Sequence, residues 1–391
     1  MINKDLEYIF SNIPYKRMNI YKYIPTSNTM KQYISLAKNL GYNFDSDIGQ
    51  GKQKTLILLR KDDSFIGEIK DRRYPKNSKE GVDIATDKFL SEKFLNNASI
   101  STTQSNIYHI NEGEKAKKEF FSKGNSDFAV IKPTNMSQGM GVNVRVSEED
   151  FDYYWDDTVK AIGNRKIGIM VQNYFEGFEA RAVVILGQLI SIVARVPAYV
   201  KGNGKNTIAE LIKFKNVSRK KCANLKHRLI NPSEKMSKFL KGSGMNMNTI
   251  PRHGEFVLLS SLSNISHGGE MVDITDYVSD EIKNISINSI AAIPGLYSGG
   301  VDIMMKNFED LNPSVIEINA WPMLQSTIYP TYGKAHKPQE YFFNAYFSLD
   351  SFFNNSEHSY IIPNSESYVK TYVDFQDLKI ELYEKQLLIQ Q

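Results

Sequence analysis

One cysteine, Cys222, stands among 391 residues, so no intramolecular disulfide and no cysteine-built zinc cluster can form. A reducing, cytoplasmic location is the expectation that follows. Long apolar runs are lacking too. The longest, Ala182 to Ala194, covers about 13 residues against the roughly 20 that span a bilayer, and it is broken by Gln188 and Ser191. The opening Met1-Ile2-Asn3-Lys4-Asp5 has none of the apolar stretch of a secretion signal, so neither a membrane span nor export is expected. Charge of one sign is not in excess: 48 Lys and Arg face 44 Asp and Glu, a net +4, which argues against nucleic acid as the main partner. There is no GxxxxGK[ST] loop, HExxH, GxSxG or CxxC pair, and no internal repeat.

What is present is an ordinary soluble composition, 41% apolar and 24% charged, long enough for two or three domains. Residues 1–80 read as a small α/β unit. Met30, Tyr33, Ala37 and Leu40 share a helical face ended by Gly41, and Thr55–Arg60 with Ser64–Ile69 form a hairpin. Arg72 to Gly81 reads as a connector, and a capped helix starts at Thr86. Ser147 is read as the cap of a helix carrying Phe151, Trp155, Val159 and Ile162 on one face. The long apolar run resolves into two strands, Arg181–Leu186 and Leu189–Arg195. A basic helical segment fills about 208–240, further strands follow near 256–260, 300–305 and 314–319, and an aromatic-rich stretch and amphipathic helix occupy 336–391. The pattern is mixed α+β, without strict βα alternation.

Several scattered residues have the chemistry of a site. Lys132 ends a strand and precedes a loop, Pro133 to Val142, in which Gly139 and Gly141 let backbone N–H groups approach an anion. An ordinary strand–turn–strand loop is the alternative. Asp302 and Glu317 sit among β-branched neighbours, and alternation sends Glu317 and Asn319 to one face, a hard oxygen set suited to Mg²⁺. Two solvent-facing strand acids would read the same way. Arg181 and Arg195 flank an apolar hairpin, where a charge needs a carboxylate partner such as Glu179 or Glu210, or an anionic ligand.

Taken in order, Asp87-Lys88, Lys132-Pro133, the glycine loop, Gln172-Asn173-Tyr174, Arg181, Arg195, Asp302 and Glu317-x-Asn319 resemble the ATP-grasp superfamily of carboxylate–amine ligases. Within it, the chain resembles the ATP-grasp portion of cyanophycin synthetase and of the fused bacterial glutathione synthetases. Arg195 to Ile212 is similar to that branch's R-x-P-A-x-V-x-G-D-G-x-x-T-I-x-E-L-I, and Asn264 to Gly269 with Asp273 to Asp276 is similar to N-L-S-x-G-G…D-V-T-D. The likeness covers about 81–335. Departures are Asn203 in place of an aspartate, Ser260 in place of an arginine, and Trp321-Pro322-Met323 where the family carries x-P-G.

The resemblance implies an ATP-grasp α+β fold in which two subdomains hold ATP between antiparallel sheets, with a lid over about 100–175, a small N-terminal domain (1–80) and a helical tail (336–391). It implies that Lys88, Lys132 and the loop Ser137, Gly139, Gly141 hold phosphates, that Gln172, Asn173 and Tyr174 meet adenine, and that Glu179 meets ribose. Asp302, Glu317 and Asn319 would carry one or two Mg²⁺ (or Mn²⁺), and Arg195, Arg181 and Lys132 would be the catalytic cations. Asn264, Gly268 and Gly269 would bind substrate. The activity implied is ATP-dependent amide formation between an amino-acid or small carboxylate and an amine through an acyl phosphate. Peptide or protein acceptors are an alternative, and so is nucleic-acid binding by the acid-free basic segment Lys213, Lys215, Arg219, Lys220, Lys221, Lys226 and Arg228. Aromatics over 338–353, read as exposed, suggest a homodimer contact.

Overall fold

Alternation along four long strands sorts the chain into a core and a site. The computed structural model describes residues 4–389 apart from 25–28, 48–53, 72, 123, 125, 137–138, 262 and 264. Its largest sheet has five antiparallel strands in the spatial order Glu270–Asp273, Gln188–Val196, Phe178–Ile185, Ser298–Met305 and Ser314–Asn319. One face carries Ala180, Ala182, Ile192, Ala194, Val301 and Ile303. It packs on the helix Asp280–Ala291, which Ser279 caps, and on the short helix Lys4–Ser11 through Leu6 and Ile9. Residues 4–13 therefore belong to this core and not to the N-terminal sheet.

A second antiparallel sheet runs in the order Asn106–Tyr108, Ile169–Asn173, Ala129–Pro133 and Asn143–Val146. Ala129, Ile131, Ile169 and Val171 bury one of its faces against the helices Gly113–Ser122 and Phe151–Ile162. A third unit, the ribbon Tyr199–Lys201 with Phe256–Leu258, carries the helices Ile208–Lys220 and Glu234–Gly242 over its own small core. The continuous basic helix expected over 208–240 is thus two helices. The first starts at a reciprocal capping box of Thr207 and Glu210, and Pro232 precedes the Ser233 cap of the second.

The N-terminal sheet, Phe44–Asp47, Thr55–Leu59 and Phe65–Lys70, and the helix Thr29–Leu40 do not close a core alone. Leu56, Leu58, Ile69 and Tyr33 pack on Phe342, Phe343 and Phe347 of the helix Pro338–Asn354, with Tyr42 stacked on Phe347 at 4.1 Å between centroids. This corrects the reading of exposed aromatics over 338–353. Of the phenylalanines there only Phe352 and Phe353 are open, at 61% and 57% exposure, because the others fill the N-terminal unit. Local boundaries also shift. A helix Lys79–Thr86 occupies the end of the expected connector, the next helix, Lys88–Asn97, is capped by Asp87, and the helix after Ser147 begins only at Phe151. Ser147 still accepts from the Asp150 N–H at 3.3 Å. Among the described residues no helix is long and apolar enough to cross a membrane.

The last helix, Ser365–Ile389, is fastened to the large-sheet body by a buried cation. The Lys379 ammonium donates to the carbonyls of Ala291, Ile293 and Leu296 at 3.0, 2.8 and 3.0 Å, closing the end of the helix Asp280–Ala291. Burial lowers its pKa to about 8. Replacing it by methionine fills the space but removes the donor shared by three carbonyls, of which Ile293's alone is seen to keep another, the Leu296 N–H. Lys379→Met is expected to lose about 2–4 kcal/mol of stability, read as a lower midpoint in urea unfolding.

Candidate functional site

The face of the large sheet opposite its core is polar at one end and apolar at the other. Along Phe178–Ile185 it presents Glu179, Arg181, Val183 and Ile185. The last two are covered by the N-terminal unit and its partner helix, and the first two are left at the floor of a cleft. Register brings the rest beside them. Glu179 lies opposite Arg195, Arg181 opposite Asp302, and Asp302 opposite Glu317. A bulge at Ile316 decides the last position: Asp302 pairs with Glu317 and Ile303 with Val315, so Val315 enters the core while Glu317 and Asn319 face the cleft.

The polar groups form one network. Arg181 donates to both oxygens of Asp302, Nε to Oδ1 and Nη2 to Oδ2, each at 2.6 Å. Arg195 Nη1 bridges Glu179 Oε1 and Asp302 Oδ2, the latter at 3.2 Å, and Ser263 donates to Glu179 Oε2 at 2.6 Å. Asp302 is 2% exposed, which excludes a solvent-facing acid. At the adjoining edge Lys88 pairs with Glu317 Oε2 at 3.1 Å and reaches the Met136 carbonyl at 3.4 Å, while Asn319 Nδ2 donates to Glu317 Oε1 at 3.2 Å.

The four-stranded sheet supplies the opposite wall, and Lys88 links Glu317 of the large sheet to the Met136 carbonyl that follows the strand Ala129–Pro133. Val130, Lys132, Met170 and Gln172 share the face turned away from its core, with Lys132 opposite Met170 and Val130 opposite Gln172. Lys132 is 4% exposed, and burial, assisted by the Lys88 charge, lowers its pKa to about 8. Glu317, Glu92 and Asp302 pull it back up. Burial alone would raise the Glu317 carboxyl, but Lys88, Lys132 and Arg181 hold it down at about 2. Burial raises Glu179 above the ordinary carboxylate range, against the opposing pull of Arg195. The buried Gln172 Oε1 receives no donor among the described residues.

The structure therefore brings Lys88, Lys132, Gln172, Glu179, Arg181, Arg195, Asp302, Glu317 and Asn319 to two facing sheets and the helix end between them. Asn173 and Tyr174 follow Gln172 at the strand end, where their N–H groups donate to the Thr103 and Phe128 carbonyls. In the loop, Gly139 is exposed, and Gly141 (φ +67°) has no room for a Cβ against Ala161 and Pro133. Ser137 and Asn264 lie outside the described residues. Gly268 and Gly269 are buried, and a Cβ at Gly268 would meet Ile230 Cγ1 at 2.8 Å. Sequence reasoning missed Ser263 and Glu92. Glu92 lies one helical turn after Lys88, accepts from Ser105 N and Oγ at 2.7 and 2.6 Å, and ties that helix to the lid. Its spacing from Lys88 was the available signal.

The donor set fits Mg²⁺. Two carboxylates and one amide side chain supply hard oxygens, with Asp302 held by Arg181 and Arg195 and Glu317 by Lys88 in this structure, and among the described residues no third acidic, histidine or cysteine side chain converges on them. Magnesium takes that number of protein ligands and fills the rest with water and substrate phosphates.

No family model matches the sequence. The glutathione biosynthesis bifunctional protein GshAB of Clostridium perfringens is 30% identical over 264 residues, 66% of this chain and 33% of that protein. The cyanophycin synthetase of Synechocystis is 27% identical over 267 residues, 65% of this chain and 29% of that protein. The chain thus spans about a third of the length of the curated relatives it matches. A bifunctional glutathione synthetase from Pasteurella multocida superposes with a TM-score of 0.58 at 24% identity, over 82% of this chain and 43% of that one. The fold is ATP-grasp, a mixed α+β arrangement of antiparallel sheets, and the resemblance to ATP-grasp ligases holds in sequence as well.

Glu317 offers a test of the network that needs no ligand. Its folded pKa lies below the ordinary 4.5, so its contribution to stability is complete above about pH 4.5 and is lost as pH falls towards 2. Glu317→Gln is expected to be about 2–3 kcal/mol less stable than the parent at pH 7, with the gap closing through that acid window in urea titrations.

Proposed function

We propose that this ATP-grasp chain is an ATP- and Mg²⁺-dependent ligase joining an amino-acid or small-molecule carboxylate to an amine, with release of ADP and phosphate. The observation that carries the reading is the Asp302–Glu317–Asn319 oxygen set on one sheet, faced by buried Lys132 on the other and flanked by Arg181 and Arg195. Anion-binding cations and hard cation ligands meet in one cleft, the requirement of phosphoryl transfer. The names of the relatives, all synthetases or glutathione-forming proteins, support the same class.

Lys88 and Lys132 are the phosphate holders, and the orphan Gln172 Oε1 suits the amino group of adenine beside the backbone of Asn173 and Tyr174. Glu179, drawn towards the cleft by Ser263, is the candidate ribose acceptor. Asp302, Glu317 and Asn319 would hold Mg²⁺, whose charge supplies neutralisation of the phosphates. A substrate carboxylate oxygen takes the γ-phosphoryl group as the bond to the β-phosphate oxygen breaks and ADP departs. A neutral amine then attacks the acyl carbon, the C–O bond breaks with its electron pair leaving on phosphate, and the proton lost by the nitrogen passes to that departing phosphate. Arg181 and Arg195 keep positive charge fixed at the oxyanion without a reorganisation cost, and a closed lid protects the acyl phosphate from water. No side-chain nucleophile takes part.

The test is incubation with Mg-ATP and a panel of amino acids and dipeptides, measuring ADP, phosphate and an amide product by mass. Glu317→Ala is expected to lower turnover by about 100-fold or more, and unchanged turnover overturns the reading. The affinity for ATP should also fall as pH rises through 8, where Lys132 gives up its charge, by up to about tenfold per pH unit above that point. Lys132→Arg is expected to remove this fall in nucleotide titrations.

A further inference from the structure

The ribbon-and-helix unit over 198–259 holds 13 Lys and Arg against three Glu and no Asp, although the whole chain is only +4, so the remainder carries more acids than bases. Its helix Ile208–Lys220 has two faces of opposite character. Inward, Arg219 is fully buried, donating to Glu270 at 3.0 Å and to the Arg228 carbonyl, and Lys215 pairs with the same Glu270 at 3.0 Å. Both of those cations share one carboxylate. Outward lie Lys213, Phe214, Val217 and Lys220, with Lys221 at the cap, all exposed. Among the described residues Lys213, Lys220 and Lys221 form no ion pair, and Phe214 and Val217 are 56% and 53% open.

We propose that this outer face docks an acidic polypeptide segment carrying apolar side chains. Phe214 and Val217, three apart, make an apolar ridge, and the three ammonium groups frame it. A phosphate backbone would use the cations and leave the ridge wet, whereas alternating Glu and Leu or Phe side chains satisfy both. Docking stands independently of the ligase reading, and it is read without nucleotide.

The probe is a fluorescein-labelled synthetic 16-residue peptide of Glu alternating with Leu and Phe, compared by anisotropy with poly-Glu, a Lys-for-Glu counterpart and a single-stranded oligonucleotide of equal charge. The alternating peptide is expected to bind saturably, weakening about tenfold between low and moderate salt. The triple variant Lys213→Glu, Lys220→Glu, Lys221→Glu should abolish binding, and Phe214→Ala with Val217→Ala should weaken it about fivefold or more, both with unchanged thermal melts. No binding by the parent, binding untouched by either variant, or tighter binding of the oligonucleotide overturns the proposal. Retained ATP turnover in the charge-reversed variant leaves the ligase reading standing whatever the docking result.

Discussion

A guanidinium and a carboxylate facing each other across two strands, with nearly all water excluded, have to neutralise one another, and Arg181 and Asp302 do so through two hydrogen bonds of 2.6 Å. Because Asp302 has both oxygens engaged, it in turn fixes Arg195, which fixes Glu179, which holds Ser263 and so the loop that leads to Glu270. Removing one member strands a buried charge on another. The network accordingly defines the cleft floor, the height of the 263–269 loop above it and the placement of Glu317 beside it.

The same strands explain why the site ends where it does. Polar side chains near Phe178 give way to Val183 and Ile185, and at that point the N-terminal sheet and the helix Pro338–Asn354 close over the face with a shared aromatic core. The first and last parts of the chain are therefore halves of one cover. The final helix continues it, with the Lys379 ammonium occupying the carbonyls at the end of a helix beneath the large sheet.

Charge is partitioned by the same logic. Lys132, walled in by the lid and near Lys88, has a weakened hold on its proton, whereas Glu317 between those lysines and Arg181 keeps its negative charge far into acid. Away from the cleft, the basic unit over 198–259 pairs its inward Lys215 and Arg219 with Glu270 and leaves Lys213, Lys220 and Lys221 of the outer helix face without an ion pair among the described residues, a division invisible in the overall +4.

The periodic features were legible in the sequence: the helix ended by Gly41, the hairpin through Gly187, the strand acids among β-branched neighbours and the lysine closing a strand. Residue order alone carried the resemblance to ATP-grasp ligases and most of the candidate site, since side-chain type at period 2 already assigns Glu179, Arg181, Glu317 and Asn319 to faces. Tertiary structure alone decided which cation meets which anion, because cross-strand register couples residues 121 positions apart, as in Arg181 with Asp302. It also decided that a bulge at Ile316 turns Glu317 to the cleft, and that the aromatics of 342–347 fill a core begun some 300 residues earlier. Local pattern states what a residue needs, a partner or a dry surface. Only the folded chain, by bringing distant segments within a few ångströms, settles who supplies it.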